Sequence, residues 1–254
     1  MTTTSRQRPR RPVTRILKPL ALALATLLIA AVVTFLVDAH TTYSAELEPV
    51  QAVAADPAVD IAWTHGDVVM TPTGPANGTG LVFLAGAKVD PLAYADTLSG
   101  IVDAGTTVVI VRPILNFAIL EFRPLSTFTD LAPDVTDWYV GGHSLGGVKA
   151  CQYATDPGVR GLVLLGSYCA GDLSEQNVPV LSVSGSDDGL STPAKIDASR
   201  ADLPADARFV EIEGANHASF GDYGPQPGDG TASIDDQRMR ARLTTALDDF
   251  LAAP

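Results

Sequence analysis

Predominantly apolar runs alternate with segments of helical spacing along most of the chain. The apolar runs occupy residues 81–85, 106–111, 162–165 and 180–183. Runs of this length without polar alternation are typical of strands that are buried on both faces. Between and after these runs, apolar residues at helical spacing indicate helices at residues 91–104, 148–155, 192–201 and 233–251. This alternation predicts an α/β domain in which helices cover both faces of a mostly parallel sheet.

Further strands complete this sheet. Residues 59–64 and 67–71 surround the turn signal His65-Gly66 and predict a hairpin. Residues 138–141 form another short strand, and residues 208–212 form the last one. The sequence therefore predicts a sheet of about seven or eight strands within a domain that spans residues 59–254.

The first part of the chain has a different pattern. Residues 1–18 carry six positive charges and no acidic residue, and residues 19–37 contain no charge. A membrane-spanning helix needs about 20 such residues, whereas the apolar core of a signal peptide has about 7–15. We therefore predict a basic cytoplasmic tail at 1–18 and a single-pass transmembrane signal anchor at 19–37, followed by a polar stalk at 38–58. The rest of the chain then lies on the extracytoplasmic side of the cell membrane. Secretion after signal cleavage and a buried helix of a soluble protein are the alternatives.

The charge balance restricts the class of partner. The chain contains 17 basic and 29 acidic residues, and six of the basic residues precede Asp38. The remainder therefore carries 11 basic and 29 acidic residues, a net charge of −18. Nucleic-acid binding needs a basic surface, so we predict no nucleic-acid partner. No feature of the sequence indicates an oligomeric state.

The two cysteines lack the spacing of a metal site. Cys151 and Cys169 are 18 positions apart and have no neighbouring histidine. Outside the cytoplasm they could form a disulfide, and otherwise they would be two buried thiols. Both alternatives are compatible with the sequence. We predict a protein that uses neither a metal nor a cofactor.

A nucleophile motif lies between a predicted strand and a predicted helix. Residues 141–147 read Gly-Gly-His-Ser-Leu-Gly-Gly and contain G-x-S-x-G with Ser144 at its centre. A sharp turn from strand to helix exposes the central serine, and small neighbours let the backbone form that turn. We therefore predict that Ser144 is a nucleophile, the alternative being an ordinary glycine-rich turn.

A serine nucleophile requires a general base. The chain has four histidines, of which His40 lies in the predicted stalk and His65 in the early hairpin. His143 lies inside the nucleophile motif, where we expect its side chain to point away from Ser144. The remaining one, His217, follows the last strand in a loop that can reach over the sheet edge, and we predict that it is the base.

The acid and the oxyanion hole complete the predicted site. The order Ser…Asp…His places the acid in Gly-Ser-Asp-Asp-Gly at residues 185–189, where Asp187 and Asp188 are both candidates. One of these two carboxylates could instead only cap the loop. For the oxyanion hole we predict the N–H groups of Leu145, which follows the nucleophile, and Ala87, which follows Gly86 at the end of a strand.

The segments around this site suggest its substrate pocket. We predict a pocket lined by Gly86, Pro113, Phe117, His143 and Phe220. Packing in the core is the alternative for the aromatic residues. Residues 167–177 are too few to form a large helical lid over this pocket, which argues against substrates with long acyl chains.

Together these motifs resemble a known family. The nucleophile motif, the Gly-Ser-Asp-Asp-Gly turn and the Gly-Ala-Asn-His turn at 214–217 resemble the α/β-hydrolase superfamily in order and spacing. The closest likeness is to its small dienelactone-hydrolase-like and carboxylesterase-like members, over residues 59–252. The G-x-x-D pattern common in those proteins matches residues 185–188, so the resemblance implies Asp188 as the acid and an α/β-hydrolase fold.

Two departures from the family patterns limit the implied substrates. The predicted oxyanion loop reads Leu-Ala-Gly-Ala at 84–87 rather than His-Gly-Gly-Gly, which argues against bulky tertiary-alcohol esters. Dienelactone hydrolases use cysteine where Ser144 stands, so their reaction is not implied. We predict a serine hydrolase that cleaves small to medium carboxylic esters through an acyl-enzyme. An envelope acyltransferase with the same triad and a non-catalytic binding protein on this fold are the alternatives.

Overall fold

The N-terminal apolar segment forms one long helix, α1 (Thr14–Ala39), in the computed structural model, which describes residues 14–252. Its stretch Lys18–Ala39 is long and apolar enough to cross a membrane, and its side chains from Lys18 to Asp38 are exposed, unlike those of a soluble core helix. The helix starts within the predicted basic tail, of which residues 1–13 lie outside the described residues. The chain divides into two units, Met1–Thr41 and Thr42–Pro254.

The second unit contains eight strands and six α-helices among its described residues. The strands are β1 (Val59–Thr64), β2 (Asp67–Pro72), β3 (Thr79–Leu84), β4 (Thr107–Val111), β5 (Asp137–His143), β6 (Val159–Leu165), β7 (Val180–Gly185) and β8 (Arg208–Ile212). The helices are α2 (Leu47–Ala54), α3 (Ala95–Asp103), α4 (Ser126–Thr129), α5 (Leu145–Tyr153), α6 (Pro193–Ser199) and α7 (Asp236–Leu251). A 3₁₀ turn, Pro91–Tyr94, leads directly into α3.

All eight strands belong to one sheet, in the order β1-β2-β4-β3-β5-β6-β7-β8. The pairs β1–β2 and β2–β4 are antiparallel, and the remaining pairs are parallel. The carboxyl ends of the parallel strands therefore meet at one edge, where ligands bind in open α/β sheets. This topology confirms the predicted fold class.

Both faces of the sheet are covered because side chains alternate along its strands. In β3, Leu81 and Phe83 pack in the core that also contains buried residues of α2, α3 and α7. Val82 and Leu84 pack in a second core with residues of α4 and α5. The continuous apolar run at this strand reflects burial on both sides.

The prediction of a polar stalk at 38–58 departs from the structure. Residues from Thr42 onward belong to the second unit, in which Tyr43 forms a β-bridge with Val89. The short helix α2 buries Val53 in the core and contacts α3 and β1. Because the residues around this helix are largely polar, the composition of the segment does not indicate its single buried side chain.

A disulfide joins the helix after the nucleophile motif to the loop after β6. Cys151 of α5 and Cys169 form this bond, which selects one of the two alternatives left open by the sequence. The loop from Gly166 to Pro179 contains no helix or strand, in agreement with the absence of a large lid.

Candidate active site

The chain turns sharply at Ser144, between β5 and α5. Its backbone angles, φ 53° and ψ −124°, are unfavourable for a residue with a side chain and cost about 1–3 kcal/mol. Its N–H donates to the carbonyl oxygen of Leu165 at 3.1 Å, which ties the turn to β6. A side chain at Gly146 would overlap the carbonyl oxygen of Leu84, so the close approach of α5 to β3 requires glycine there. The turn leaves Ser144 half-exposed at the carboxyl edge of the sheet.

The strained turn is supported from the next strand. The buried hydroxyl of Ser167, just after β6, donates to the carbonyl oxygen of Ser144 at 2.7 Å. The N–H of Leu145 lies in the first turn of α5, where no carbonyl of the helix can accept it. This N–H is therefore available at the side of the serine.

His217 and Asp188 form a buried pair near this turn. The Nδ1 atom of His217 lies 2.8 Å from Oδ2 of Asp188, and both side chains are almost completely buried. The other carboxylate oxygen of Asp188 accepts the N–H groups of Leu190 at 2.8 Å and Ser191 at 2.7 Å. These bonds fix the carboxylate, which in turn orients the imidazole. The Nε2 atom of His217 has no hydrogen-bond partner within residues 14–252.

The neighbouring carboxylate, Asp187, has different partners. Its Oδ2 atom accepts the hydroxyl of Ser233 at 2.9 Å, and its Oδ1 atom lies 3.1 Å from the hydroxyl of Ser186. Of the two candidate acids, Asp188 is therefore the one that contacts His217.

A carboxylate that the sequence did not indicate connects the loops of Asp188 and His217. Asp229 accepts the N–H groups of His217 at 3.0 Å and Ala218 at 2.8 Å. It also accepts the N–H of Gly189, the residue after Asp188, at 3.0 Å. These hydrogen bonds hold the two loops together. Asp229 lies in a Gly-Asp-Gly turn 12 residues beyond His217, and no local sequence signal predicts this contact.

His143 lies beside the candidate base, His217. Its ring centroid is 4.4 Å from that of His217, and its Nδ1 atom is 3.0 Å from the hydroxyl of Tyr94. Burial lowers the pKa of His143 well below its ordinary value, and the neighbouring His217 lowers it further. An interaction with the backbone of His217 opposes these two effects on the pKa. His143 is therefore neutral at physiological pH.

The loop after β3 contacts the same cluster. The N–H of Gly86 donates to the hydroxyl of Tyr94 at 2.9 Å, and a Cβ atom at Gly86 would lie 2.9 Å from Nδ1 of His143. The next N–H, that of Ala87, has no acceptor within residues 14–252, and Ala87 is half-exposed. Both N–H groups predicted for the oxyanion hole, those of Ala87 and Leu145, are thus unoccupied in the described part of the chain.

The predicted pocket residues differ in their environments. Phe220 is fully buried, packs against Gly166 and lies 5.8 Å from His143 between ring centroids, as the core-packing alternative describes. Pro113 is buried and Phe117 is half-buried in the segment after β4. That segment is tied to the loop after β3 by the N–H of Lys88, which donates to the carbonyl of residue 116 at 2.7 Å. Among residues 14–252, no cluster of His, Cys, Asp or Glu could hold a metal ion.

A comparison with models of protein families places the chain in one of them. The family model described as the alpha/beta hydrolase family matches residues 80–241, and the chain belongs to that family. A comparison with curated protein sequences finds no significant match.

Solved structures share the fold at low sequence identity. One is an alpha-beta serine hydrolase homologue from Coxiella burnetii, with a TM-score of 0.53 and 14% identity over 75% of this chain and 97% of that chain. Another is Est1E from Butyrivibrio proteoclasticus, with a TM-score of 0.52 and 12% identity over 77% of this chain and 100% of that chain. At such identities the likeness establishes the fold alone.

Proposed function

We propose that this protein is a serine hydrolase that cleaves small to medium carboxylic esters with Ser144, His217 and Asp188. The observation that carries the proposal is the buried hydrogen bond of 2.8 Å between His217 and Asp188, next to a serine in a strained backbone conformation. Strain of this kind persists where the surrounding structure enforces it, and it is concentrated at functional sites. The Nε2 atom of His217 has no hydrogen-bond partner within residues 14–252, which supports its role as the group that accepts the serine proton.

In the proposed acylation step, the Ser144 oxygen attacks the ester carbonyl carbon while Nε2 of His217 takes the hydroxyl proton. The Asp188 carboxylate stabilises the imidazolium that forms. The N–H groups of Leu145 and Ala87 donate to the carbonyl oxygen as it becomes negatively charged. The carbon–oxygen bond to the alcohol then breaks, and the alcohol leaves with the proton from His217.

The proposed deacylation step repeats this chemistry with water. His217 takes a proton from the water as the water oxygen attacks the acyl carbon. The ester bond to Ser144 then breaks, and the serine oxygen recovers the proton from His217. The products are the carboxylic acid and the free enzyme, so no cofactor is consumed.

The loops around the site support a small or medium substrate. The segment between β6 and β7, where a lid would lie, contains no helix, and the disulfide fixes it to α5 through Cys169. Nothing in this segment provides the long apolar cover that shields an extended acyl chain.

A labelling experiment followed by an ester panel tests the proposed activity. We expect a fluorophosphonate probe to label the full chain and to leave the Ser144→Ala variant unlabelled. With p-nitrophenyl esters, we expect kcat/KM to be highest for acyl chains of about 2–8 carbons and lowest for palmitate, because the segment between β6 and β7 forms no helical cover for a long chain. Absence of labelling would contradict the proposal, and a preference for palmitate would contradict the substrate class.

We also propose that α1 anchors the protein in the cell membrane with the catalytic unit outside. The exposed, uncharged stretch of α1 and the six positive charges of residues 1–18 support this orientation. The disulfide between Cys151 and Cys169 supports it independently, because such bonds persist in oxidising compartments and are rare in the cytosol.

The anchor predicts how the protein fractionates. We expect the full chain to sediment with membranes and to resist both high salt and carbonate, because a spanning helix is removed only by detergent. Protease added outside intact cells should then degrade the catalytic unit. A soluble protein whose N-terminus lies near residue 40 would instead indicate a cleaved signal, and protection from external protease would contradict the orientation.

A further inference from the structure

We propose that Tyr94 and His143 are positioning residues that connect the oxyanion-hole loop to the catalytic base. The inference rests on the proposed function, because it assigns Ala87 and His217 their catalytic parts. It starts from two hydrogen bonds that meet at one hydroxyl group. The Tyr94 oxygen lies 2.9 Å from the N–H of Gly86 and 3.0 Å from Nδ1 of His143.

The direction of these two bonds determines the protonation of His143. The backbone N–H of Gly86 can only donate, so the Tyr94 oxygen accepts there. The hydroxyl has no other acceptor in a hydrogen bond among residues 14–252, so its single proton lies on the bond to His143, whose Nδ1 atom accepts it. A neutral imidazole that accepts at Nδ1 carries its own proton on Nε2. The structure thus assigns His143 the neutral Nε2–H tautomer.

The surroundings of His143 keep the imidazole in that form. The polar side chains whose rings lie near the His143 ring are those of Tyr94, His217 and Tyr223. The ring centroid of Tyr223 is 6.2 Å from that of His143. The Asp188 carboxylate lies on the far side of this group, where its Oδ2 atom is 2.8 Å from Nδ1 of His217. A second positive charge next to His217 would oppose proton transfer from Ser144, because like charges at this distance repel. A neutral His143 leaves His217 as the sole group of the pair that accepts the proton.

The same hydroxyl aligns the oxyanion-hole loop. By accepting the N–H of Gly86, Tyr94 leaves the following N–H, that of Ala87, as the free donor of the loop. Tyr94 and His143 are both almost fully buried, so neither side chain can follow the loop if it moves. The Tyr94 hydroxyl therefore fixes the position of the oxyanion-hole loop relative to His143, the neighbour of the base.

The tautomer can be measured directly, without reference to activity. The full chain, labelled with ¹⁵N-histidine in detergent micelles, has four histidines, and replacing His40, His65 and His217 one at a time by Gln assigns their signals. We expect His143 to show an unprotonated Nδ1 and a protonated Nε2, with no change between pH 5 and pH 8. A His143 signal that titrates in this range, or that carries its proton on Nδ1, would overturn the assignment.

A matched pair of variants tests the positioning role. Tyr94→Phe removes only the hydroxyl. Tyr153→Phe makes the same change at a second buried tyrosine, whose hydroxyl donates to the backbone carbonyl of Arg123 at 2.6 Å. We expect Tyr94→Phe to lower kcat about tenfold with KM within about twofold, since it acts on the transition state rather than on binding. Tyr153→Phe should leave both constants within about twofold.

The possible outcomes separate this inference from the proposed function. Equal kcat values in the Tyr94→Phe and Tyr153→Phe variants, with both melting like the original protein, would overturn the positioning role while the triad stands. Because the histidine spectrum needs no turnover, it decides the tautomer even if no ester is hydrolysed. In Tyr94→Phe, we expect the Nε2–H tautomer of His143 to lose its dominance, because the donor to Nδ1 is gone.

Discussion

Replacing Ser144 by alanine is expected to lower kcat for p-nitrophenyl acetate by about 10⁴–10⁶-fold and to leave the fold intact. Loss of the nucleophile in a serine hydrolase has an effect of this size, and the remaining rate comes from binding and from the oxyanion hole. The alanine side chain fits wherever the serine fits, and the variant retains the hydrogen bond from the Ser167 hydroxyl to the carbonyl oxygen of residue 144. The variant should therefore unfold at a temperature close to that of the original protein.

A second serine variant provides the control. Ser99 lies in α3, and its hydroxyl donates to the carbonyl oxygen of Asp96 at 2.8 Å, away from the sheet edge that carries the site. We expect Ser99→Ala to keep its turnover within about twofold of the original protein. If the Ser144→Ala variant kept most of its esterase activity after repurification, Ser144 would not be the nucleophile.

The parts of the fold that depend on local pattern were predicted well from the sequence. The bounds of β1 and β8 are those expected, because each strand is closed by short-range turn signals. The sharp turn at Ser144 was also predicted, because its backbone requires small residues on both sides of the serine. In these places a few adjacent residues determine the backbone conformation.

The parts that depend on long-range contacts were not predictable. The role of Asp229 in joining the loops of Asp188 and His217 arises where β7 and β8 end side by side, and its own turn has no distinguishing pattern. Tyr94 belongs to an ordinary apolar stretch, and its hydroxyl becomes significant because β3 and β5 are neighbours in the sheet. His143 likewise lies 4.4 Å from His217 between ring centroids, a contact that the pattern around either residue does not indicate. Such placements follow from topology rather than from spacing in the sequence.

Two adjacent carboxylates allow the acid of the proposed triad to be tested with closely matched variants. Asp188 and Asp187 are neighbours in one loop, and either substitution by asparagine removes one negative charge without changing the size of the side chain. Asp188 contacts Nδ1 of His217 and is almost completely buried, whereas Asp187 contacts the hydroxyls of Ser186 and Ser233. The two variants therefore differ mainly in the group that loses its carboxylate.

Asp188→Asn is expected to lower kcat about 10⁴-fold, and Asp187→Asn less than about tenfold. An amide at position 188 can present its NH₂ group to His217, which favours the imidazole tautomer that cannot accept a proton from Ser144. It also leaves the imidazolium without a countercharge, and the corresponding change in serine proteases lowers kcat by about 10⁴. Asp187→Asn keeps an oxygen that can accept from Ser233, so the loop should hold its shape.

Steady-state kinetics with p-nitrophenyl acetate measure both variants, and melting temperatures confirm that both are folded. Equal losses in the two variants would show that the charge of the loop, rather than the bond to His217, matters for turnover, and a larger loss in Asp187→Asn would give Asp187 the role of the acid.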